Sequence, residues 1–576
     1  MSRHPDPARG ADTGEFDLGV IGAGINGAAI ARDAALRGLR VLVLEQGDLC
    51  SGTSAWSTRL IHGGLRYLEH AEISLVRESL RERETLLRTA PHLVRPLELL
   101  LPIYRGDARG PRMVRAGMIA YDLLSLDKSL PRHRALSLAQ TREREPGLTP
   151  SGLRGAAVYF DCQVTFPERL VTELVLAARA AGAAVRTYTR VERLVARPAE
   201  AGAGTGSGAP SGFEVAARDV LTGAELRATA RCVVNAGGPW VDRVLTRVAG
   251  NGADRATAPR LIGGTKGSHI VVAPFPGTPR QALYAQARSD ARPFFIIRWN
   301  GLVLIGTTEV RFDADPVEAV ATPEEIEYLL AETRRLIPGC GLGGQSVLYS
   351  YAGVRPLPPE DEVPAAVTRR HMVREHGPEV PGLFSIIGGK LTTHRGLAEE
   401  VVDAILARLG REHRRSTTGT TRLPGFVDRD EAADLTRRIE DKLIRAQRTG
   451  TDLEARQVRH SAERLVSLYG SRADGPAGLA AAEPGLARVI DPDTGALGAE
   501  VAWALEAEGA RTLADVLLRR TMIGLGRRVG LPAVDDAAAV AAAVLGWSPG
   551  QARDEAEAYR AERRRRSPVL GPAGVI

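Results

Sequence analysis

Between residues 16 and 45 the apolar positions fall into three blocks of different period. Phe16-Asp17-Leu18-Gly19-Val20-Ile21 is a short, nearly continuous apolar run, the pattern of a buried strand. Ala28 through Arg37 is Ala-rich and helical in period, with the small residues Ala31 and Ala35 available for close packing on a sheet. Leu39-Arg40-Val41-Leu42-Val43-Leu44-Glu45 is a second strand closed by an acid. Gly22-Ala23-Gly24-Ile25-Asn26-Gly27 joins the first strand to the helix, and Gly38 stands where a helix C′ glycine belongs. The pattern predicts a βαβ unit with G-x-G-x-x-G at its turn.

Residues 72–88 are amphipathic, with Ile73, Val76, Leu80 and Leu87 near one face, and Pro91 ends that helix. Residues 95–130 have no clear period until 117–126, which read as a helix beside Arg112 and Arg115. A helix is predicted over 167–181 and a strand over 184–196. Residues 213–220 and 225–234 form a hairpin around Thr222-Gly223, whose second arm runs into Asn235-Ala236-Gly237-Gly238. Strands follow over 261–276, 294–299, 302–308 and 347–354, in a mixed or antiparallel sheet. A last strand, 383–387, runs into Gly388-Gly389-Lys390-Leu391-Thr392-Thr393 and a helix through residue 409. Beyond residue 425 the period is helical, around 431–447, 454–469, 498–508, 512–522 and 533–545. Residues 1–14 are expected to be a disordered tail, 198–212 a flexible Gly/Ala/Ser/Pro loop, and 411–424 a linker.

Composition narrows the class. At 576 residues the chain has room for two to four domains. Its 44% hydrophobic and 25% charged residues are those of a folded globular protein. Cys50, Cys162, Cys232 and Cys340 are scattered without C-x-x-C, against a disulfide scaffold or structural zinc and in keeping with a reducing compartment. The N-terminus has no signal-peptide apolar core, and no run reaches the ~20 apolar residues of a membrane span. The net charge of +7 suits an anionic lipid or substrate, although most of the arginines read as a solvated surface. Arg563–Arg566 reads as a solvated helix end, and nothing supports nucleic-acid recognition.

The glycine loop carries backbone chemistry. Gly22 makes the tight turn, Gly24 lets the main chain approach a pyrophosphate, and Gly27 lets helix and strand touch. The helix N-terminus offers N–H groups to the phosphates, and Glu45 accepts from a ribose. This motif alone does not separate FAD from NAD. The Ser51–Thr58 hydroxyl run, the break at Ala236-Gly237 and the Gly388-Gly389 turn are further points of backbone approach to a large polar ligand.

Six segments in order resemble the FAD-dependent glycerol-3-phosphate dehydrogenases of the respiratory type, within the D-amino-acid-oxidase-like flavoproteins. They are Ile21-Gly22-Ala23-Gly24-Ile25-Asn26-Gly27, Arg59-Leu60-Ile61-His62-Gly63-Gly64-Leu65-Arg66-Tyr67-Leu68-Glu69 and Lys266-Gly267-Ser268-His269-Ile270-Val271-Val272. Ile305-Gly306-Thr307-Thr308, Tyr351-Ala352-Gly353-Val354-Arg355-Pro356-Leu357 and Gly388-Gly389-Lys390-Leu391-Thr392-Thr393 complete the set. Arg59 stands where many members have lysine, and Trp56 and the 198–212 loop are local departures.

The resemblance implies an α/β fold: a Rossmann-like FAD-binding domain (15–95, 151–258 and 347–410), an inserted mixed or antiparallel-sheet substrate domain (96–150 and 259–346) and a C-terminal all-helical domain (425–576). Gly22, Gly24, Asn26, Gly27 and Glu45 would hold the ADP half of FAD, with the Val191 backbone at adenine. Ser54, Ser57, Thr58, His62, Gly63, Gly64, Ala236, Gly237, Gly389, Lys390, Leu391 and Thr392 would line pyrophosphate, ribityl or flavin. No metal is implied.

A dianionic phosphate needs several fixed cations. Arg66 with Tyr67, His269, Thr308, Arg355, Arg369 and Lys390 are the implied substrate-binding set. The implied reaction oxidises sn-glycerol 3-phosphate to dihydroxyacetone phosphate, with His269 as base and Arg355 steadying the developing alkoxide. Family precedent passes the electrons to a membrane quinone from a homodimer lying peripherally on the cytoplasmic face of the cell membrane. The rivals are a glycerol-3-phosphate oxidase using O2, an amino-acid-oxidising flavoenzyme, and a non-catalytic flavin-binding protein.

Overall fold

The computed structural model describes residues 14–107, 109–197, 212–249, 260–359, 370–377, 379–447 and 455–566. The expected tail and the 198–212 loop lie outside these residues, except for Gly14 and Gly212, and so does Arg369.

The first sheet is built on the predicted βαβ unit. Strand Glu15–Ile21 runs parallel to Val41–Leu44 on one side and to Glu225–Asn235 on the other. Leu383–Ile387 lies parallel to the carboxyl end of Glu225–Asn235, and Gly212–Asp219 pairs antiparallel with its first half. The carboxyl ends of four parallel strands therefore open on one edge, where open α/β sheets bind ligands. Helix Ile25–Leu36 packs against Pro167–Ala180 and His394–Arg408. Leu18, Val20, Val43 and Val234 are wholly buried, which explains strands without polar alternation. The strand expected over 184–196 is split at Tyr188, whose φ of +56° turns the chain between Ala184–Arg186 and Thr189–Arg197.

In the second sheet Thr265–Val272 is flanked antiparallel by Val347–Arg355 and Leu302–Gly306. It continues through Pro293–Trp299, Ala282–Gln286, Val94–Tyr104 and Leu153–Val164. Two of these strands add to the sequence reading. Val94–Tyr104 is a strand where the pattern was unclear. Leu153–Val164, within a segment assigned to the FAD-binding domain, hydrogen-bonds into this sheet, and so does Val347–Arg355, whose period places it in a mixed or antiparallel sheet although its residues are grouped with the FAD-binding segments. An apolar run identifies a strand and not its partner.

The helices beyond residue 425 share one apolar core with the first sheet. Buried ion pairs cross the junction: Arg169 grips Glu508 at 2.5 and 2.9 Å, and Asp48 accepts from Arg519 at 2.7 Å and from Arg520 at 2.8 Å. The expected linker is itself packed, with Arg411 on Asp17 at 2.7 Å, Ser416 on Asp33 at 2.5 Å and Thr418 buried.

Candidate active site

A cavity of about 630 Å³ opens at the carboxyl edge of the first sheet. Gly22 enters it at φ +103°, and a Cβ there would stand 2.6 Å from the Ala236 carbonyl oxygen. A Cβ on Gly27 would collide with the Gly22 carbonyl, so helix and strand meet only through glycine. Glu45 is held by the amides of Ala23 (2.7 Å) and Gly47 (2.8 Å), and burial raises its carboxyl above the usual range. Ser54 Oγ accepts from the Ile25 amide at the helix start (3.0 Å). Val191 lines the cavity, with its carbonyl accepting from Arg247 at 2.6 Å. Gly24, Asn26, Ala236, Gly237, Gly389 and Leu391 complete the wall.

A second cavity of about 250 Å³ adjoins the first through Ser57, Gly353, Gly389, Lys390 and Leu391, which line both. On its floor the buried His269 ring stacks on Tyr351, centroids 4.9 Å apart and planes 23° apart. His269 Nε2 lies 2.9 Å from Thr58 Oγ1, while Nδ1 is buried without a hydrogen-bond partner. Burial, aided by Arg355 and Arg59, pushes the imidazole down to about 3, so the ring is neutral at pH 7. Arg355 donates to Glu309 Oε1 at 3.0 Å and to Thr307 Oγ1 at 3.5 Å. Its Nη2 would stand 2.8 Å from a Cβ on Gly267, so that glycine makes room for the guanidinium.

Across the cavity Tyr67 folds over Gly64, at φ +76°, and has two cations near its ring. Lys390 Nζ is 3.9 Å from its ring centroid and Arg66 Cζ 5.8 Å. Lys390 also reaches Ser79 Oγ at 3.4 Å. His62 faces the same space, its imidazole pushed down to about 4 by burial against the opposing pull of Asp161. Thr392 Oγ1 accepts from the His62 amide at 3.1 Å, and the Gly63 amide donates to Tyr121 Oη at 2.9 Å. Ser57 Oγ accepts from the Arg59 amide at 3.1 Å. Thr308 lines the cavity, but its hydroxyl donates to buried Glu325 at 2.7 Å and accepts from the Ser268 amide at 2.9 Å. Of the implied substrate set, the structure brings together Arg66, Tyr67, His269, Thr308, Arg355 and Lys390.

Family comparisons bear on this geometry. The family model described as FAD dependent oxidoreductase matches residues 17–404, and that for the C-terminal domain of alpha-glycerophosphate oxidase matches residues 416–552. A glycerol-3-phosphate dehydrogenase of Synechocystis sp. is 46% identical over 515 residues, covering 88% of this chain and 89% of the relative. This chain belongs to the FAD-dependent glycerol-3-phosphate dehydrogenases. A family member from Mycobacterium leprae is 35% identical over 558 residues, with 95% of this chain and 88% of the relative covered. The crystal structure of the Bacillus halodurans glycerol-3-phosphate dehydrogenase complexed with FAD superposes with a TM-score of 0.73 at 28% identity, covering 96% of this chain and 95% of that one. An L-alpha-glycerophosphate oxidase from Mycoplasma pneumoniae, 16% identical with a TM-score of 0.53, shares the fold.

The residues present fit the family's cofactor. Asn26 Oδ1 is buried and unpartnered at the cavity wall, an acceptor waiting for a donor. The glycines at 22, 27 and 389 keep backbone where any Cβ would intrude.

Several lining groups of this dehydrogenase site have no motif in the sequence. Arg292, Tyr284 and Phe295 enter the small cavity from the second sheet, with Arg292 donating to the Glu309 carbonyl. Arg190, Trp240 and Arg243 line the large one. An arginine immediately before the strand Pro293–Trp299 was the available hint for Arg292. Arg59, at the family's lysine position, is fully buried and forks onto Glu168 with two bonds of 2.9 Å, a geometry that arginine supplies and lysine does not.

Proposed function

We propose that the enzyme oxidises sn-glycerol 3-phosphate to dihydroxyacetone phosphate and passes the electrons to a membrane quinone. The observation that carries this reading is the small cavity beside the dinucleotide site, with Arg66, Lys390, Arg292 and Arg355 around a neutral His269. Bound FAD supplies the two-electron acceptor. Arg66 and Lys390, gathered about Tyr67, bind the phosphate dianion and fix the polyol's orientation. The C2 hydroxyl proton passes to His269 Nε2 through Thr58 Oγ1, 2.9 Å away. Arg355, fixed by Glu309 and Thr307, faces the oxygen as it becomes a carbonyl and offsets its negative charge. Thr308 acts through the buried Ser268–Glu325 network that holds the strand carrying His269. Arg369 remains a phosphate-binding candidate outside the described residues.

No helix among the described residues is long and apolar enough to cross a membrane. A peripheral contact is supported by helix Pro111–Leu123 and the turn after it. There Met113, Ile119, Leu123 and Leu126 are 51%, 44%, 60% and 70% exposed, with Arg112 and Arg115 also exposed. Exposed apolar groups flanked by arginines suit the anionic cytoplasmic leaflet. A homodimer is the assembly expected from the family resemblance.

An anaerobic visible spectrum tests the substrate. Glycerol 3-phosphate should bleach the flavin, and glycerol, glycine or a D-amino acid should not; a flavin that stays oxidised sinks the assignment. Peroxide formed stoichiometrically in air would favour the oxidase reading suggested by the description of the C-terminal family model.

A further inference from the structure

The last helix, Pro549–Arg566, ends at the mouth of the dinucleotide cavity. Its four terminal arginines, expected to be solvated, divide their roles. Arg563 is 2% exposed, with its guanidinium 5.6 Å from the Tyr349 ring. Arg565 donates to the carbonyl of Val317, on the cavity wall, at 3.2 Å. Arg566 lines the cavity itself, its guanidinium carbon 4.9 Å from the Trp56 ring centroid. Its side chain is 13% exposed, and Nε is buried without a hydrogen bond. Its ion-pair partner is Glu562, one turn back along the helix at 3.3 Å.

A guanidinium withdrawn from water costs free energy unless an anion meets it. One partly exposed carboxylate, whose contact leaves Nε without a hydrogen bond, is a poor match for a guanidinium with five N–H donors. The cavity is lined by Gly22, Gly24 and Ile25 of the turn that opens the first helix, a place suited to a diphosphate. We propose that Arg566 is a cofactor-binding residue: the last helix delivers its guanidinium to the negative charge of the FAD pyrophosphate, and the helix end straps the cofactor in place. Burial draws the Arg566 pKa down to about 10, which leaves the cation intact at pH 7. The helix continues past residue 552, where the match to the C-terminal family model ends, so that match assigns the strap no role. The proposal rests on the family's FAD dependence and is independent of the substrate assignment.

The test is FAD release from purified holoenzyme diluted into flavin-free buffer, followed by the rise in flavin fluorescence. Arg566→Gln should release FAD about tenfold faster than wild type at low salt, the scale of one lost charge-assisted hydrogen bond. Arg566→Lys, which keeps the charge, should stay within about threefold, and Arg565→Gln should match wild type. Raising salt should accelerate wild-type release and leave Arg566→Gln nearly unchanged. Wild-type retention in Arg566→Gln overturns the proposal. So does an equal loss in Arg566→Lys together with an equal drop in the melting temperature of FAD-free protein, since that pattern belongs to a packing role. If Arg566→Gln does not fold, the salt series decides: wild-type release insensitive to salt overturns the proposal.

Discussion

His269 concentrates the chemistry of the site in one residue. Its ring is buried, stacked on Tyr351 and in contact with Thr58, and its depressed pKa keeps the imidazole neutral across the physiological range. His269→Gln should therefore slow anaerobic flavin reduction by about 10²–10⁴-fold while FAD remains bound; stopped-flow absorbance at the flavin band measures it. The same burial has a cost in acid. His269 and His394 are neutral in the folded protein, pushed to about 3 and about 4, and ionise near 6.5 when unfolded. Between roughly pH 6.5 and 4 the unfolded chain binds protons that the folded one refuses, so stability falls as pH falls through that window and is unaffected by these groups above it. Melting temperatures from pH 7.5 to 4.5 should show this slope, and His269→Gln should reduce it, with the contributions of His394 and His62 remaining. The phosphate cations predict a different kinetic signature. Arg66→Gln should raise KM for glycerol 3-phosphate about tenfold, with a much smaller change in kcat, because it removes binding common to ground and transition states.

At the scale of elements, the βαβ unit is the part most legible in the sequence. Its strand, glycine turn, helix and second strand are each written in local periodicity, and all four occur where the pattern put them. Gly22→Ala should eliminate FAD binding, since the new Cβ meets the Ala236 carbonyl at 2.6 Å in a backbone at φ +103°; the flavin-to-protein absorbance ratio of the purified variant reads it directly. The helix Pro111–Leu123 was only half legible. Its period was visible, but whether its apolar side was core or surface depended on what packed against it, and Val114, Met118 and Tyr121 are buried while Met113, Ile119 and Leu123 are not. Leu123→Glu should weaken sedimentation with anionic vesicles and leave the anaerobic reduction rate unchanged.

Across the whole molecule, stability and site are joined by buried ion pairs whose members lie far apart in sequence. Asp48 stands three residues after Glu45 and is gripped by Arg519 and Arg520 from the C-terminal helical region. Asp48→Asn leaves two buried guanidinium groups without their carboxylate and should cost about 3–5 kcal/mol; urea unfolding of the FAD-loaded enzyme measures it. Because Asp48 lies beside the dinucleotide cavity, the same variant should also loosen FAD.

The sequence by itself determined the features whose physics is local: the dinucleotide turn, the helix periods, the glycine breaks at residues 236–238 and 388–389, and the segments that resemble the family. Glycine freedom, period and capping act over a few residues and can be read from a few residues. Tertiary structure alone decided the order of the strands and the partners of those whose period was silent. It paired Leu153–Val164 with Val94–Tyr104, and an apolar run has no record of its partner. It also decided the electrostatic state of His269, since a pKa depends on burial and on charges such as Arg59 and Arg355, which are remote in sequence. It brought Arg292 into the substrate cavity and Arg566 to the cofactor cavity, because an arginine reads as solvated until the fold brings a wall around it.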